Sequence, residues 1–352
     1  MDRVDLAIVG GGVIGAAIAR EAVAAFPGTT VAVLERGLVG QGASSRSAGV
    51  HFPRGGTERV RSMSAYSQGV WERLAAELDL PIRTVDAMVV SAGDVDGVSP
   101  VYPGLGVETA PAHGWAAAPG TRAWDLDGCH HADVQAVAGR VLARLRDRVT
   151  VLEGTEVTEL SSEGGYHRLT LGSGRELLAR RVVLAPGPWI GHPAWAELVA
   201  PLGLRVKKVV AAHLEGAPAA GDPLVVFHDE DAFVLPLPER GHYLFSYTCD
   251  RWDVTPDGVG PALDPSDLDD ARAVLGRFAP GLVDRCTSGR VFCDAYSPNR
   301  EPVVAGLLPG LVFAGAANGS GYRLAPAIAA ETVAALDLTP SGTIPQPLQR
   351  QS

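Results

Sequence analysis

Residues 4–9, VDLAIV, form a short apolar run that halts at GGGVIG and resumes as AAIAREAVAAF with Ala on one face. A run bounded this way predicts a buried strand, a glycine turn and a closely packed helix. TTVAVLE (29–35) predicts a second strand. Val60, Met63, Val70, Leu74 and Leu78 fall at helical spacing, in a segment that runs from Val60 to Leu80 and stops before Pro81. DAMVVSAG (86–93) predicts a strand of a different sheet, and 99–121 is Pro/Gly-rich with poor periodicity. Asp133 to Arg148 predicts another helix, with Asp133 as its N-cap. TVLEGTEVTEL follows, then a hairpin around Glu163-Gly164-Gly165, then RRVVLAPGPW, a strand ending in a Gly/Pro turn.

From about 205 to 295 the pattern changes to alternating strands, RVKKVVAAHLE, AFVLPLP and HYLFSYT among them, with one helix near 266–278. That texture predicts an antiparallel sheet of the α+β kind. The sequence LVFAGAANGSGYRLAPAIAAETVAAL then returns to strand, glycine loop and helix, and the last dozen residues read as a solvated tail. No internal repeat is visible.

Composition narrows the class. At 352 residues the chain is long for one core, so two domains are expected, or a nucleotide fold with an insertion. With 46% hydrophobic and 20% charged residues it has material for a large core, which excludes a disordered or collagen-like chain. The net charge of −10 argues against bulk electrostatic binding of nucleic acid. Only Lys207 and Lys208 are lysines, so a local anion site would rest on Arg. No window offers the ~18 apolar residues of a membrane span. The apolar start is broken by Gly10-Gly11-Gly12 and has no cleavage-type ending, so a mature cytoplasmic protein is expected. Cys129, Cys249, Cys286 and Cys293 show neither a CxxC pair nor zinc spacing and read as reduced thiols. Cys129-His130-His131-Asp133 lacks a second ligand cluster, so no metal is expected.

Gly10, Gly12 and Gly15 make GxGxxG between strand and helix, with Glu35 closing the next strand. The first Gly permits the turn, the second lets a pyrophosphate approach and the third lets helix pack on strand, while Glu35 is placed to accept from a ribose hydroxyl. A second glycine loop, AGAANGSG (314–321), enters a helix some 300 residues later, where backbone N–H groups and the helix dipole can meet an electron-rich ring. A long dinucleotide held at both ends, FAD, accounts for that return. GQGASSRSAG (40–49) is a small-residue loop suited to close approach, and VVLAPGPW (182–189) supplies the turn beneath the adenine side.

These four segments, in this order and spacing, resemble the D-amino-acid-oxidase superfamily of FAD oxidoreductases, especially glycine oxidase, monomeric sarcosine oxidase and D-arginine dehydrogenase. RSAGVH (46–51) is similar to D-arginine dehydrogenase, where a His stands close to the flavin. DAYSPNREPVVAG (294–306) resembles the family's Thr-Pro-Asp-Gly-x-Pro segment, and GYRLAP (321–326) the sarcosine-oxidase Gly-Phe-Lys-Leu-Ser-Pro motif, whose Lys holds the substrate carboxylate. The resemblance implies an α/β fold: a Rossmann-like FAD-binding domain from 1–82, 133–204 and 296–340, with an inserted antiparallel α+β substrate domain from 83–132 and 205–295, and a tail at 341–352. It implies oxidation of a C–N bond in an amine or amino acid by hydride transfer to the flavin, with O2 as acceptor giving H2O2, in a monomer or small homo-oligomer without membrane or nucleic-acid partners.

The cofactor contacts expected on this basis are Gly10, Gly12, Val13, Ile14 and Gly15; Glu35 and Arg36; Gly42, Ala43, Ser44, Ser45, Arg46, Ala48, Gly49 and Val50; Val157; Ala185, Pro186, Gly187 and Trp189; and Gly315, Asn318, Gly319, Ser320, Gly321, Tyr322, Arg323 and Leu324. The catalytic candidates are His51, Arg54, Tyr247, Asp294 and Arg323. Aligned residue by residue, the family's substrate-carboxylate Arg falls on Asp294, so Arg323, or Arg54, is expected to take over, unless Arg323 pairs with Asp294 itself. That departure points to an N-substituted glycine or another specialised amino acid as substrate. Cys293 lies one residue from where sarcosine oxidase carries its covalent flavin, but a buried structural Cys and a non-covalent flavin are expected. Three alternatives stay open: a dehydrogenase with a non-O2 acceptor, a monooxygenase using NAD(P)H, and an FAD-stabilised non-catalytic subunit.

Overall fold

A computed structural model of the chain describes residues 2–110, 120–260 and 262–336. The expected tail and part of the Pro/Gly-rich stretch lie outside the described residues. The N-terminal apolar run is the strand Asp2–Val9, paired in parallel with Val31–Leu34 on one side and Glu176–Leu184 on the other. Val149–Leu152 extends this sheet in parallel, and Leu311–Gly315 pairs in parallel with the end of Glu176–Leu184. Both faces are covered, which is why these segments are continuously apolar rather than alternating. Leu6, Ile8, Val31, Val33 and Val312 pack against the helices Val13–Ala25, Val134–Ala143 and Gly321–Ala335. Ala7, Ala32, Leu34, Leu184 and Phe313 pack on the opposite face with Trp195 and the hairpin Val157–Glu163/Tyr166–Leu171. That hairpin turns through Gly164-Gly165, both at positive φ (60° and 79°), as a two-residue turn matched to the strand twist requires. Asp133 caps its helix by accepting from the Ala136 N–H at 3.0 Å, and the helix ends at Ala143, short of the expected Arg148.

The second sheet runs in the order Cys286–Tyr296, Arg205–Glu215, His242–Tyr247, Ala232–Leu237, Leu224–Phe227, Ala87–Ser91, Arg122–Leu126, Leu105–Thr109. All junctions are antiparallel except Leu224–Phe227 with Ala87–Ser91, which is parallel, so the expected antiparallel sheet is mixed. Those two strands are joined by no hairpin, so no short turn imposes their relative direction. Leu105–Thr109 is an edge strand with an exposed central run, and its lack of apolar periodicity follows from that exposure. The helix Pro265–Phe278 carries a capping box of Asp264 and Asp267. The Lys208 ammonium reaches both carboxylates, at 3.3 and 2.8 Å, and ties the helix to the sheet. A small antiparallel sheet of Val50–His51, His130–Ala132 and Ile82–Thr84 completes the strands.

The last helix contains Pro326, which has no N–H for the Tyr322 carbonyl one turn back. The Trp71 indole donates to that carbonyl at 3.1 Å, and the Ser67 hydroxyl accepts from the Ala327 N–H at 3.2 Å. Both partners belong to the helix Glu58–Leu78, so the backbone on both sides of Pro326 is fixed by a neighbouring element. Trp71→Phe keeps most of the ring but leaves a buried carbonyl unsatisfied. It is expected to cost about 1–3 kcal/mol in urea unfolding, with little change in the slope of the transition.

Candidate active site

Three chain segments meet at the first glycine loop. Gly10 sits at φ 110°, and a Cβ there would lie 2.2 Å from the Ala185 carbonyl oxygen. A Cβ on Gly15 would lie 2.0 Å from the Gly10 carbonyl oxygen. Neither position admits a side chain, so the strand end, the helix start and the turn after Leu184 are held at backbone distance. Gly12 starts the helix Val13–Ala25 without a side chain of its own to cap it; the Ser44 hydroxyl accepts from the Val13 N–H at 3.1 Å, and this helix N-terminus faces the cleft, where an anion is favoured. The Glu35 carboxylate accepts from Gly11 N–H at 2.9 Å and Gly37 N–H at 2.8 Å and so fixes the loop edges as well.

From this loop one continuous cleft of about 1480 Å³ runs to the turn Asn318–Gly321. It exceeds the ~300–1,000 Å³ of a common small-molecule pocket, so it has room for a dinucleotide plus a substrate. At the far end from Arg323, the Arg36 guanidinium lies 4.1 Å above the Trp189 ring and pairs with Asp257 at 2.8 Å, while the Trp189 indole donates to the same carboxylate at 2.9 Å. Trp189 also packs on Gly42, where a Cβ would come within 3.1 Å of the indole. Glycine cradles, helix N-termini and a long cleft with an aromatic end fit FAD. Gly10, Gly12, Val13, Glu35, Ser44, Trp189 and the 318–321 turn are the residues that would hold it.

The family described as DAO, FAD dependent oxidoreductase, matches residues 5–335. This chain is a DAO-family FAD-dependent oxidoreductase. Glycine oxidase from Geobacillus kaustophilus superposes with a TM-score of 0.78 at 21% identity, over 96% of this chain and 95% of that one. The FAD-bound L-α-glycerophosphate oxidase of Mycoplasma pneumoniae superposes with a TM-score of 0.76 at 18% identity, over 96% and 95%. At these identities the likeness is one of fold. In sequence, the tRNA 5-methylaminomethyl-2-thiouridine biosynthesis bifunctional protein MnmC of Caulobacter sp. (strain K31) is 33% identical over 202 residues, 55% of this chain and 31% of that protein.

Most of the expected cofactor contacts line the cleft of this DAO-family protein, including Ile14, Arg36, Ala43, Arg46, Ala48, Gly49, Val50, Val157, Ala185, Pro186, Gly187, Tyr322 and Leu324. Gly15, Ser45 and Gly315 do not. Gly15 serves the helix–strand contact, the Ser45 hydroxyl donates back to the Gln41 carbonyl at 2.7 Å, and Gly315 lies beside the Phe313 ring. His51 does not line the cleft either. Val50 and Phe52 line it, and strand alternation turns His51 to the interior, fully buried and stacked on His130 at 4.6 Å. Burial, then the adjacent His130 and Arg323, pushes its pKa down to about 2, which favours the neutral ring. Both ring nitrogens of His51 are buried without a hydrogen-bond partner, and the ring lies next to Arg323, so His51 stands directly behind the cleft wall.

Arg54, Tyr247, Asp294 and Arg323 do line the cleft. Arg54 is committed to Asp231, which also accepts from the Thr248 hydroxyl at 2.7 Å; burial opposes its charge, but Tyr102 and Asp231 raise its pKa on balance. The Tyr247 hydroxyl reaches the Asp267 carbonyl at 3.5 Å, and burial raises its pKa, so it remains a neutral wall. Arg323 bonds the Ser320 hydroxyl, reaches the Phe52 carbonyl at 3.5 Å and lies 5.1 Å from the Phe52 ring, with its Nε buried and unpartnered. No carboxylate pairs with it among the described residues, so the alternative pairing with Asp294 is not made. Burial, then Arg54, lowers its pKa to about 10, still charged at neutral pH. Asp294 accepts from Ala295 N–H and Gly319 N–H, both at 2.9 Å.

Lys207 carries no motif in the sequence that marks it as a site residue beyond being one of only two lysines, on an alternating strand. It lines the cleft, 5% exposed, with its ammonium 5.0 Å from the Trp252 ring and 5.2 Å from the Tyr296 ring. Cys293 also lines the cleft, but burial and Asp294 raise its thiol to about 11, which disfavours the thiolate. Among the described residues no group of three or more His, Cys, Asp or Glu is arranged for a metal, and no helix is long and apolar enough to cross a membrane.

Burial pushes the Asp294 carboxyl up to about 6 against its two N–H donors. A carboxyl raised on folding stabilises the fold below its ordinary pKa, and that contribution is lost as pH rises through about 6. In flavin-free protein, the melting-temperature advantage of Asp294→Asn over the parent is therefore expected to widen from pH 5 to pH 8. An unchanged difference would show that the carboxylate is not strained by folding.

Proposed function

We propose that the chain oxidises the C–N bond of a small amino acid, an N-substituted glycine or a specialised relative of it, to an imine, with O2 as the final acceptor and H2O2 as product. One observation carries this reading: a half-buried guanidinium, Arg323, stands in the cleft without an anionic partner. Unpaired buried charges are costly to keep, and a planar guanidinium matches a carboxylate in a two-pronged contact. Arg54 is already neutralised by Asp231, and the Lys207 ammonium is held over the Trp252 and Tyr296 rings.

When bound, FAD supplies a two-electron acceptor for hydride from the carbon next to nitrogen. The chain does the rest. Arg323, steadied by the Ser320 hydroxyl, fixes the substrate carboxylate and hence the reacting carbon. Phe52 and Phe233, packed edge to face with centroids 6.2 Å apart, form apolar wall around that position and exclude water. Water then hydrolyses the released imine.

A panel of amines and amino acids, scored by anaerobic bleaching of the flavin and by reoxidation in air, tests the reaction class. Bleaching by amino acids with rapid aerobic recovery is expected; slow recovery would replace O2 by another acceptor, and bleaching by NADPH alone would overturn the reading. Arg323→Ala is expected to raise KM for the best substrate by at least about 30-fold, the equivalent of roughly 2 kcal/mol. The same variant should leave the KM of the amide-capped substrate nearly unchanged.

A further inference from the structure

Asp294 and Arg323 are anchored to adjacent residues of one turn. The Asp294 carboxylate accepts from the Gly319 N–H at 2.9 Å, and the Arg323 guanidinium bonds the Ser320 hydroxyl. Both side chains line the cleft, yet no ion pair joins them, and among the described residues neither has another ion partner. Two opposite charges held apart on one turn, and facing one cavity, match a ligand that carries both charges itself.

Sheet register fixes where the carboxylate stands. Asp294 is directly opposite Lys207 in the antiparallel pair of Arg205–Glu215 and Cys286–Tyr296, so both project to the cleft face. Tyr296, two residues on, shares that face. The charged and titratable groups facing this corner are Lys207 from the neighbouring strand, Tyr296 from its own, Asp231, Cys249 and Asp250 from across the sheet, Arg300 from the loop that follows, and Arg323 from the helix. Lys207 is held over the Trp252 and Tyr296 rings instead of pairing with Asp294, burial lowers its pKa, and burial raises the Tyr296 hydroxyl out of reach of neutral pH. Asp231 is taken by Arg54 and Asp250 faces Lys207, whereas Asp294 is held only by two backbone N–H groups and keeps lone pairs for a ligand.

We infer that Asp294 recognises the substrate nitrogen as its ammonium and accepts one proton from it, while Arg323 holds the carboxylate of the same molecule. The inference rests on the amino-acid reading above and adds to it the recognition of the nitrogen. In the step, one N–H bond breaks, an O–H bond forms on the Asp294 carboxylate, and the electron pair stays on nitrogen, which becomes the free amine. An amine must lose that proton before its lone pair can form C=N, and a solvated aliphatic amine, at ~10, holds it at neutral pH. With a carboxyl raised to about 6, Asp294 is ionised at pH 7 and ready to take it.

The test uses the flavin-loaded enzyme and the best amino acid from the panel, with the rate of anaerobic flavin reduction at saturating substrate followed from pH 5 to 10. The wild-type rate is expected to rise through an ionisation near 6. Asp294→Asn should lose at least about 100-fold at pH 7 and recover toward wild type near pH 10, where the substrate deprotonates by itself. A second readout needs no turnover: N,N,N-trimethylglycine and propionate, titrated against the flavin spectrum, compare a cation-bearing carboxylate with a plain one. Wild type should prefer the former by tenfold or more, and Asp294→Asn should lose the preference. A variant with the wild-type pH profile and preference would overturn the role of Asp294 while leaving the amine-oxidation reading intact. If no amine bleaches the wild-type flavin, that reading fails, and this inference falls with it.

Discussion

The contact between the Gly10 backbone, the Ala185 carbonyl and the Gly15 backbone leaves no volume for a side chain on either glycine. Through it the first strand, the first helix and the turn after Leu184 converge at one end of the parallel sheet, where such folds place their ligand crevice. Gly49 extends the same constraint: a Cβ there would lie 2.0 Å from the Ala132 carbonyl oxygen, which locks the small-residue loop onto the start of the helix Val134–Ala143. A cleft wall built from backbone contacts cannot be relaxed by rotating a side chain. It therefore presents N–H groups at fixed positions to a cofactor that is itself mostly recognised through phosphates and ring edges.

Charge around the cleft follows a consistent layout. Arg36 is paired with Asp257, Arg54 with Asp231 and Lys208 with Asp264 and Asp267, so most of the ionic wall is internally compensated. Arg323 and Asp294 are the exceptions at the turn where the last helix begins, and Lys207 is steadied only by two aromatic rings. Burial works against the charged form of all three, and it shifts their pKa values accordingly. A fold keeps such groups at a stability cost, and they concentrate where ligands or reacting atoms supply the missing partner. The Trp71 and Ser67 contacts at Pro326 matter in this light, because they hold the helix turn that carries Arg323.

The parallel sheet and its cofactor loops were legible in the sequence because their causes are local. Continuous apolar runs mark strands covered on both faces, and Gly10, Gly15, Gly42, Gly49 and Gly319 mark close approach or positive φ. The Asp133 cap and the Gly164-Gly165 hairpin were readable for the same reason. The exposed edge strand Leu105–Thr109 was not, since exposure removes the periodicity that announces a strand, and neither was the parallel junction at Ala87–Ser91, which depends on residues more than a hundred positions apart.

By itself, then, the sequence determined the family, the glycine loops and a short list of candidate charged residues. It could not decide which of those residues face the cleft, because on a strand a single step in register reverses a side chain. Tertiary structure decided that His51 turns inward onto His130 while Val50 and Phe52 line the cavity, and that Asp231 claims Arg54. It also decided that Arg323 and Asp294 share a turn without neutralising each other. Their separation is set by the meeting of strand Cys286–Tyr296 with the start of helix Gly321–Ala335, two elements whose pairing no local pattern encodes.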